Sequence, residues 1–314
     1  MKLCAVRIWL AILTITAVIP IGRASEVPGV HYETVEFAPA HLGGMKVKFN
    51  VIFPTGYDSS KTRRYPVLYL LHGYTDDYSG WATKSNLLEH TARFQEIIVT
   101  PEGGVSWYVN NHADPKQRWE DYLIDDLIPY VDSHYRTVAD RSGRAVAGLS
   151  MGGYGALLLG FKYYDKFAAA ASMSGALEGA EGPFFTEVKG AAEKAGPGNA
   201  FLTHLVKDLS DDYGPADNPA RASDDPYELI KKVPADEMPQ IYFSCGEDDL
   251  LIAESRRLAD QLTRLKIPYE YREIPGKHEW PVWDRQIQVI MGIQAPVIGA
   301  AELPAGEYGP EWSR

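Results

Sequence analysis

Cysteine is almost absent from this chain, with two in 314 residues, Cys4 and Cys245. So small a supply excludes a disulfide scaffold and zinc sites of Cys/His spacing. Stability must come from a packed core, which a chain of this length with 45% hydrophobic residues can build. Basic residues are also in deficit, 31 Lys and Arg against 42 Asp and Glu, for a formal net charge of −11. No basic stripe remains to neutralise phosphates, so neither nucleic acid nor an anionic membrane surface is an expected partner. Gly-rich phosphate cradles and internal repeats are missing as well. No metal or cofactor is therefore expected.

Near the amino terminus a long apolar run extends from Ile8 to Ile21, preceded by Lys2 and Arg7 and followed by Gly22-Arg23-Ala24. A basic start, a short apolar core and a small-x-small site predict a signal peptide over residues 1–24, cut after Ala24. The run is short for a membrane span. Cys4 precedes it, which does not suit lipoprotein acylation. Removing residues 1–24 takes three basic and no acidic residues, which moves the formal charge to −14. The expected product is secreted or periplasmic, with no stable membrane association. Its remaining Cys245 follows the apolar Ile241-Tyr242-Phe243-Ser244 and reads as packing rather than as a nucleophile.

The rest suits one α/β domain over residues 25–293. Tyr32 to Phe37 and Val47 to Phe53 read as leading antiparallel strands. Pro66 to Leu71, Glu96 to Thr100, Ala145-Val146-Ala147, Phe167 to Met173 and Gln240 to Cys245 are dense apolar runs, as strands covered on both faces require. Tyr269 to Ile274 is the expected final strand. Helical spacing marks Trp119 to Tyr135, the stretch from Tyr154, Leu251 to Leu265 and a closing helix to about Gly292. Asp121, Asp125 and Asp126 read as a solvated face with early-turn dipole partners. Residues 178–239 break the pattern and predict a cap-like insertion, with short helices at Phe201 to Leu209 and Tyr227 to Lys232. From Ala295 onward, within a tail of residues 294–314, Pro and Gly predict a loose surface segment.

Chemistry concentrates at Gly148-Leu149-Ser150-Met151-Gly152, between the end of a buried strand and the first turns of a helix. Two glycines allow a sharp turn that projects the serine hydroxyl, the nucleophile elbow of α/β-hydrolases. Upstream, an apolar strand runs into His72-Gly73-Tyr74, where such enzymes place the first oxyanion-hole amide. The backbone N–H groups of Tyr74 and Met151 are then the expected oxyanion donors, and His72 a loop brace. His278 sits in the Gly-rich loop after the last strand and is the expected base. An acid just past the preceding strand completes the order, and Asp248 and Asp249 are equally placed for it. The loop Ser106-Trp107-Tyr108-Val109-Asn110-Asn111-His112 lies at the carboxyl edge of the sheet and supplies candidate substrate contacts.

Gly-Leu-Ser-Met-Gly-Gly, the His-Gly-x after a strand, Cys245-Gly246-Glu247-Asp248-Asp249-Leu250 and Gly276-Lys277-His278-Glu279-Trp280 together resemble the putative-esterase family of α/β-hydrolases over roughly residues 30–293. That family includes feruloyl and acetyl-xylan esterases of carbohydrate esterase family 1, S-formylglutathione hydrolases and mycolyltransferases. The resemblance implies an α/β-hydrolase fold, places the acid on Asp249 and marks Trp280 and Trp283 as aromatics flanking the acyl or sugar site. It implies a secreted serine esterase acting on feruloyl or acetyl esters of plant polysaccharide. The alternatives are an S-formylglutathione hydrolase-like thioesterase, whose cytoplasmic thioester export disfavours, and a mycolyltransferase-like acyltransferase with an alcohol acceptor. A non-catalytic glycan-binding module is disfavoured because serine, acid, base and oxyanion loop are all present. The insertion at 178–239 matches no one subfamily, so the acyl and alcohol groups and the oligomeric state stay open.

Overall fold

Alternate residues of the buried strands enter two separate cores, and this builds the layers of the molecule. In the run before His72, Val67, Tyr69 and Leu71 face one core while Leu68 and Leu70 face the other. The computed structural model describes Val27 and residues 29–179 and 183–304, with backbone alone at 183, 184 and 197. The segment read as a signal peptide lies outside the described residues. Within them, β1 (His31–Phe37), β2 (Val47–Phe53), β3 (Val67–Leu71), β4 (Ile97–Pro101), β5 (Arg144–Leu149), β6 (Ala169–Met173), β7 (Gln240–Gly246) and β8 (Glu270–Ile274) form an eight-stranded sheet. Its order is β1-β2-β4-β3-β5-β6-β7-β8. β2 pairs antiparallel with β1 and β4, and every other pairing is parallel. This is the expected α/β-hydrolase architecture.

Helices follow in order: α1 (Gly80–Lys84), α2 (Leu87–Thr91), α3 (Trp119–Asp121), α4 (Ile128–His134), α5 (Met151–Lys162), α6 (Pro183–Ala195), α7 (Ala200–Tyr213), α8 (Pro226–Leu229), α9 (Ile252–Leu265) and α10 (Trp280–Ile298). The α3–α4 run, α5 and α9 cover one face of the sheet, and α1, α2 and α10 the other. β5 and β6 carry Ala145, Ala147, Ala169, Ala170 and Ala171 in mid-sheet, and all are fully buried. Small side chains let α5 lie close against the sheet, with Gly160 directly over Ala170.

Three expectations are corrected. The helix expected over Trp119 to Tyr135 exists, but Tyr122–Leu127 forms π-helical turns between α3 and α4. Its acids are not merely solvated: Asp126 accepts from the backbone and ring of His41 at 2.9 and 3.0 Å, and Asp121 accepts from Asn110 Nδ2 at 2.9 Å. Over residues 295–304 the chain is not loose either. α10 continues past Gly292 because Ile287, Ile290, Met291, Ala295 and Ile298 keep a buried stripe at helical spacing. Gly299 ends the helix at φ 73°, and the chain then docks: Gln95 N donates to Ala301 O, and Leu303 N to Arg93 O, both at 2.8 Å. Residues 305–314 lie outside the described residues.

Candidate active site

Ser150 stands at the junction of β5 and α5 with φ 53° and ψ −119°. A serine avoids this region unless its surroundings impose it, so the turn stores strain at the hydroxyl. The imposing contacts are steric. A Cβ on Gly152 would sit 2.5 Å from His72 O and 2.6 Å from Leu71 O, so only glycine lets α5 start this near β3. Ser150 N donates to Met173 O at 2.9 Å, tying the elbow to the end of β6.

His278, in the loop between β8 and α10, reaches Ser150 Oγ with Nε2 at 2.9 Å. Its Nδ1 lies 3.1 and 3.0 Å from the two carboxylate oxygens of Asp249. Asp249 is buried, whereas Asp248 is exposed and faces solvent. The choice that sequence pattern left open thus falls on Asp249 by geometry. Burial pushes the Asp249 carboxyl up, but the hydrogen bond and charge of His278 and the N–H of Leu251 outweigh it and hold it below the usual carboxylate range. An ionised acid at Nδ1 keeps the proton on that nitrogen and leaves the Nε2 lone pair facing the serine hydroxyl. Cys245, one turn of chain away, is buried, and desolvation pushes its thiol up to about 12, so it stays an inert packing group.

The first turn after β3 brings Gly73 against the serine: a Cβ there would lie 3.4 Å from Ser150 Cβ. Tyr74 N follows, and Met151 N is the first helical amide of α5, a position with no intrahelical acceptor. Neither N–H has a protein acceptor among the described residues, so both are free to receive an anionic oxygen beside Ser150. His72 is buried with both nitrogens engaged: Gly103 N donates to Nε2 at 2.9 Å, and Nδ1 donates to Gly73 O at 2.8 Å. A ring so occupied has no lone pair for a substrate. It braces the loop.

The aromatic candidates separate into two kinds. Trp280 is partly exposed, edge-on to Trp81 and to Trp283, with Lys84 Nζ over its ring 5.6 Å from the centroid. Trp283 is buried and edge-on to the His278 ring at 4.9 Å, so it supports the imidazole rather than a substrate. The expectation of substrate contact does not hold for Tyr108, which is fully buried and donates its hydroxyl to His72 O at 2.9 Å. Trp107 is buried too, edge-on to Tyr154. Both have positive φ, 54° and 59°, and both rings pack inward. The amides of the same loop are engaged in tethers, Asn110 to Asp121 and Asn111 Nδ2 to Asp212 Oδ1 at 2.7 Å.

The helical segment between β6 and β7 stands on the loops that follow β3 and β4. Tyr74 Oη donates to Asp208 Oδ2 of α7 at 2.6 Å, and Phe201 of the same helix meets the Tyr74 ring edge-on. His112 N and Ala113 N donate to the last-turn carbonyls of α7, Asp212 O at 3.1 Å and Asp211 O at 2.9 Å. Farther round, Lys162 of α5 pairs with Glu120 and Asp224, and Tyr154 Oη donates to Asp224 O. Asp208, Phe201 and Asp212 escape a sequence reading, since acids on a helix of an irregular insertion look like a solvated face. Among the described residues no group of three or more His, Cys, Asp or Glu side chains is arranged to hold a metal ion. No helix among them is long and apolar enough to cross a membrane.

Comparison with known proteins bears on this geometry. Residues 41–292 match the family described as "Putative esterase". Esterase Rv1288 of Mycobacterium tuberculosis is 34% identical over 242 residues, which are 73% of this chain. The chain spans about half of that relative, 52% of its length. An acetyl esterase of Caldicellulosiruptor saccharolyticus is 28% identical over 70% of this chain and 79% of its own. A solved ferulic acid esterase superimposes with a TM-score of 0.67 at 22% identity, covering 85% of this chain and 98% of that one, which shows a shared fold. The chain is a member of this esterase family.

Proposed function

We propose that this protein is an exported serine esterase that cleaves carboxylic esters through an acyl-Ser150 intermediate. The observation that carries the proposal is the unbroken hydrogen-bonded chain from Ser150 Oγ through His278 to the buried Asp249. His278 takes the hydroxyl proton as Ser150 attacks the ester carbonyl, and Asp249 stabilises the imidazolium that forms. The oxygen that gains charge is met by the amides of Tyr74 and Met151, donors already in place before the reaction. His278 then protonates the departing alcohol, and a water repeats the sequence to release the acid.

For the substrate we propose feruloyl or acetyl esters of plant polysaccharide. Supporting this, Trp280 offers a partly exposed aromatic surface beside the base, and Phe201, 56% exposed, offers another beside Tyr74. Flat apolar faces on two sides of a nucleophile suit a planar aromatic acyl group. The Lys2 to Ala24 pattern supports export, because a polymeric substrate lies outside the cell. The test uses residues 25–314 with methyl ferulate beside p-nitrophenyl acetate, and amino-terminal sequencing of the exported form, which should begin at Ser25. Both esters should be cleaved, and Trp280→Ala should lower kcat/KM on the ferulate by about 10-fold or more while changing the acetate by about 2-fold or less. Acetate cleavage without ferulate cleavage would move the substrate to short acyl groups.

A further inference from the structure

We infer that Asp208, on the cap helix α7, is a positioning residue for the oxyanion-hole amide of Tyr74. The inference rests on the serine-esterase reading and deepens it: part of the catalytic loop is held by the insertion rather than by the sheet. From below, the loop is fixed by the contact of Gly73 with Ser150 and by the His72 brace. Above Gly73 the backbone is strained, with Thr75 at φ 67°. A β-branched residue in that region persists only where neighbours over-determine it. The neighbour on the upper side is α7, which grips the Tyr74 side chain at two points, the hydroxyl through Asp208 and the ring edge through Phe201.

α7 is in turn fixed rather than free to swing. Asp212, one helical turn beyond Asp208 and on the same face, accepts from Asn111 Nδ2, while the carbonyls of Asp211 and Asp212 accept from Ala113 N and His112 N. Those carbonyls are end-of-helix acceptors with no partner inside α7, so the loop after β4 caps the helix and sets its rotation. Lys207 pairs with Asp211, which leaves the Tyr74 hydroxyl as the hydrogen-bond partner of Asp208 among the described residues. An O–H donating to a carboxylate is about twice as strong as a neutral hydrogen bond, enough to hold the ring against the strain beside it. Burial and the adjacent Asp208 also push the Tyr74 hydroxyl up, so it stays a donor.

The experiment measures kcat and KM on p-nitrophenyl acetate for Asp208→Ala, Asp208→Asn, Tyr74→Phe and the pair Asp208→Ala with Tyr74→Phe, each corrected for folded fraction. Deleting an oxyanion donor costs about 10²- to 10³-fold, so misplacing one should lower kcat by about 10- to 30-fold in Asp208→Ala and in Tyr74→Phe, with KM within about 2-fold. Asp208→Asn keeps an acceptor oxygen and should recover most of the loss, and the pair should be no worse than either single change. Asp208→Ala with kcat within about 2-fold of the parent, or a change confined to KM, would overturn the inference. So would a loss that Asn does not rescue. Ser150→Ala separates the two readings: activity surviving it removes the esterase reading, whereas Ser150 dependence with an unaffected Asp208→Ala removes the positioning role alone.

Discussion

Replacing Ser150 by alanine is expected to lower kcat by about 10⁴- to 10⁶-fold, and replacing His278 by alanine to cost nearly as much. The two changes remove members of one proton-transfer unit, so Ser150→Ala combined with His278→Ala should be scarcely worse than either alone. The fold should survive. Ser150 Oγ contributes one hydrogen bond, at 2.9 Å to His278, and His278 lies in a loop with its side chain 24% exposed. The elbow is held instead by Gly152 against the backbone of β3 and by Ser150 N on Met173 O, contacts that alanine keeps. Steady-state rates with circular dichroism on the same samples check this. Activity in Ser150→Ala within about 10-fold of the parent would remove Ser150 as nucleophile.

Asp249→Asn is expected to lower kcat by about 10⁴-fold, while Asp248→Asn stays within about 2-fold of the parent. The carboxylate accepts from His278 Nδ1 and fixes the tautomer. An asparagine amide can donate to Nδ1 and so favour the other tautomer, whose Nε2 carries a proton and cannot take one from Ser150. Asp248 is exposed and reaches none of these groups. The same substitution should show in acid stability. The folded-state pKa of Asp249 lies below its unfolded value, so its contribution is present above the unfolded pKa and is lost as pH falls through the folded one. Asp249→Asn should therefore flatten the acid limb of the stability curve. Equal losses of rate in the two variants would leave the acid unassigned.

The sheet and elbow were legible in the sequence because both rest on local patterns. Continuous apolar runs mark strands covered on two faces, and Gly148 and Gly152 mark a turn where backbones approach too closely for a side chain. Ser150 and His278 followed from their places after strands. Asp249 did not follow from its place alone, since Asp248 offers the same chemistry one residue earlier; the family resemblance chose it, and burial together with the hydrogen bonds to His278 separates the two. Trp107 and Tyr108 read as ligand contacts because an aromatic loop at a sheet edge looks exposed. Both pack inward from backbone at positive φ, and that conformation has no signature in residue type. The first part of the tail, residues 295–304, was misjudged for a related reason: Pro296 and Gly299 suggest irregular chain, yet Ala295, Ile298 and Ala300 find a core surface beside the Arg93–Gln95 segment. Tyr74 and Asp208 are 134 residues apart, and no spacing rule joins an oxyanion loop to a helix of an irregular insertion.

Covalent capture identifies the nucleophile itself. The protein is mixed with a fluorophosphonate, its intact mass recorded, and the modified peptide sequenced by mass spectrometry. One phosphonyl group per molecule is expected, carried by Ser150, with labelling slowed in His278→Ala and absent in Ser150→Ala. An active enzyme that stays unlabelled, or that carries the label on another residue, would contradict Ser150 as the nucleophile.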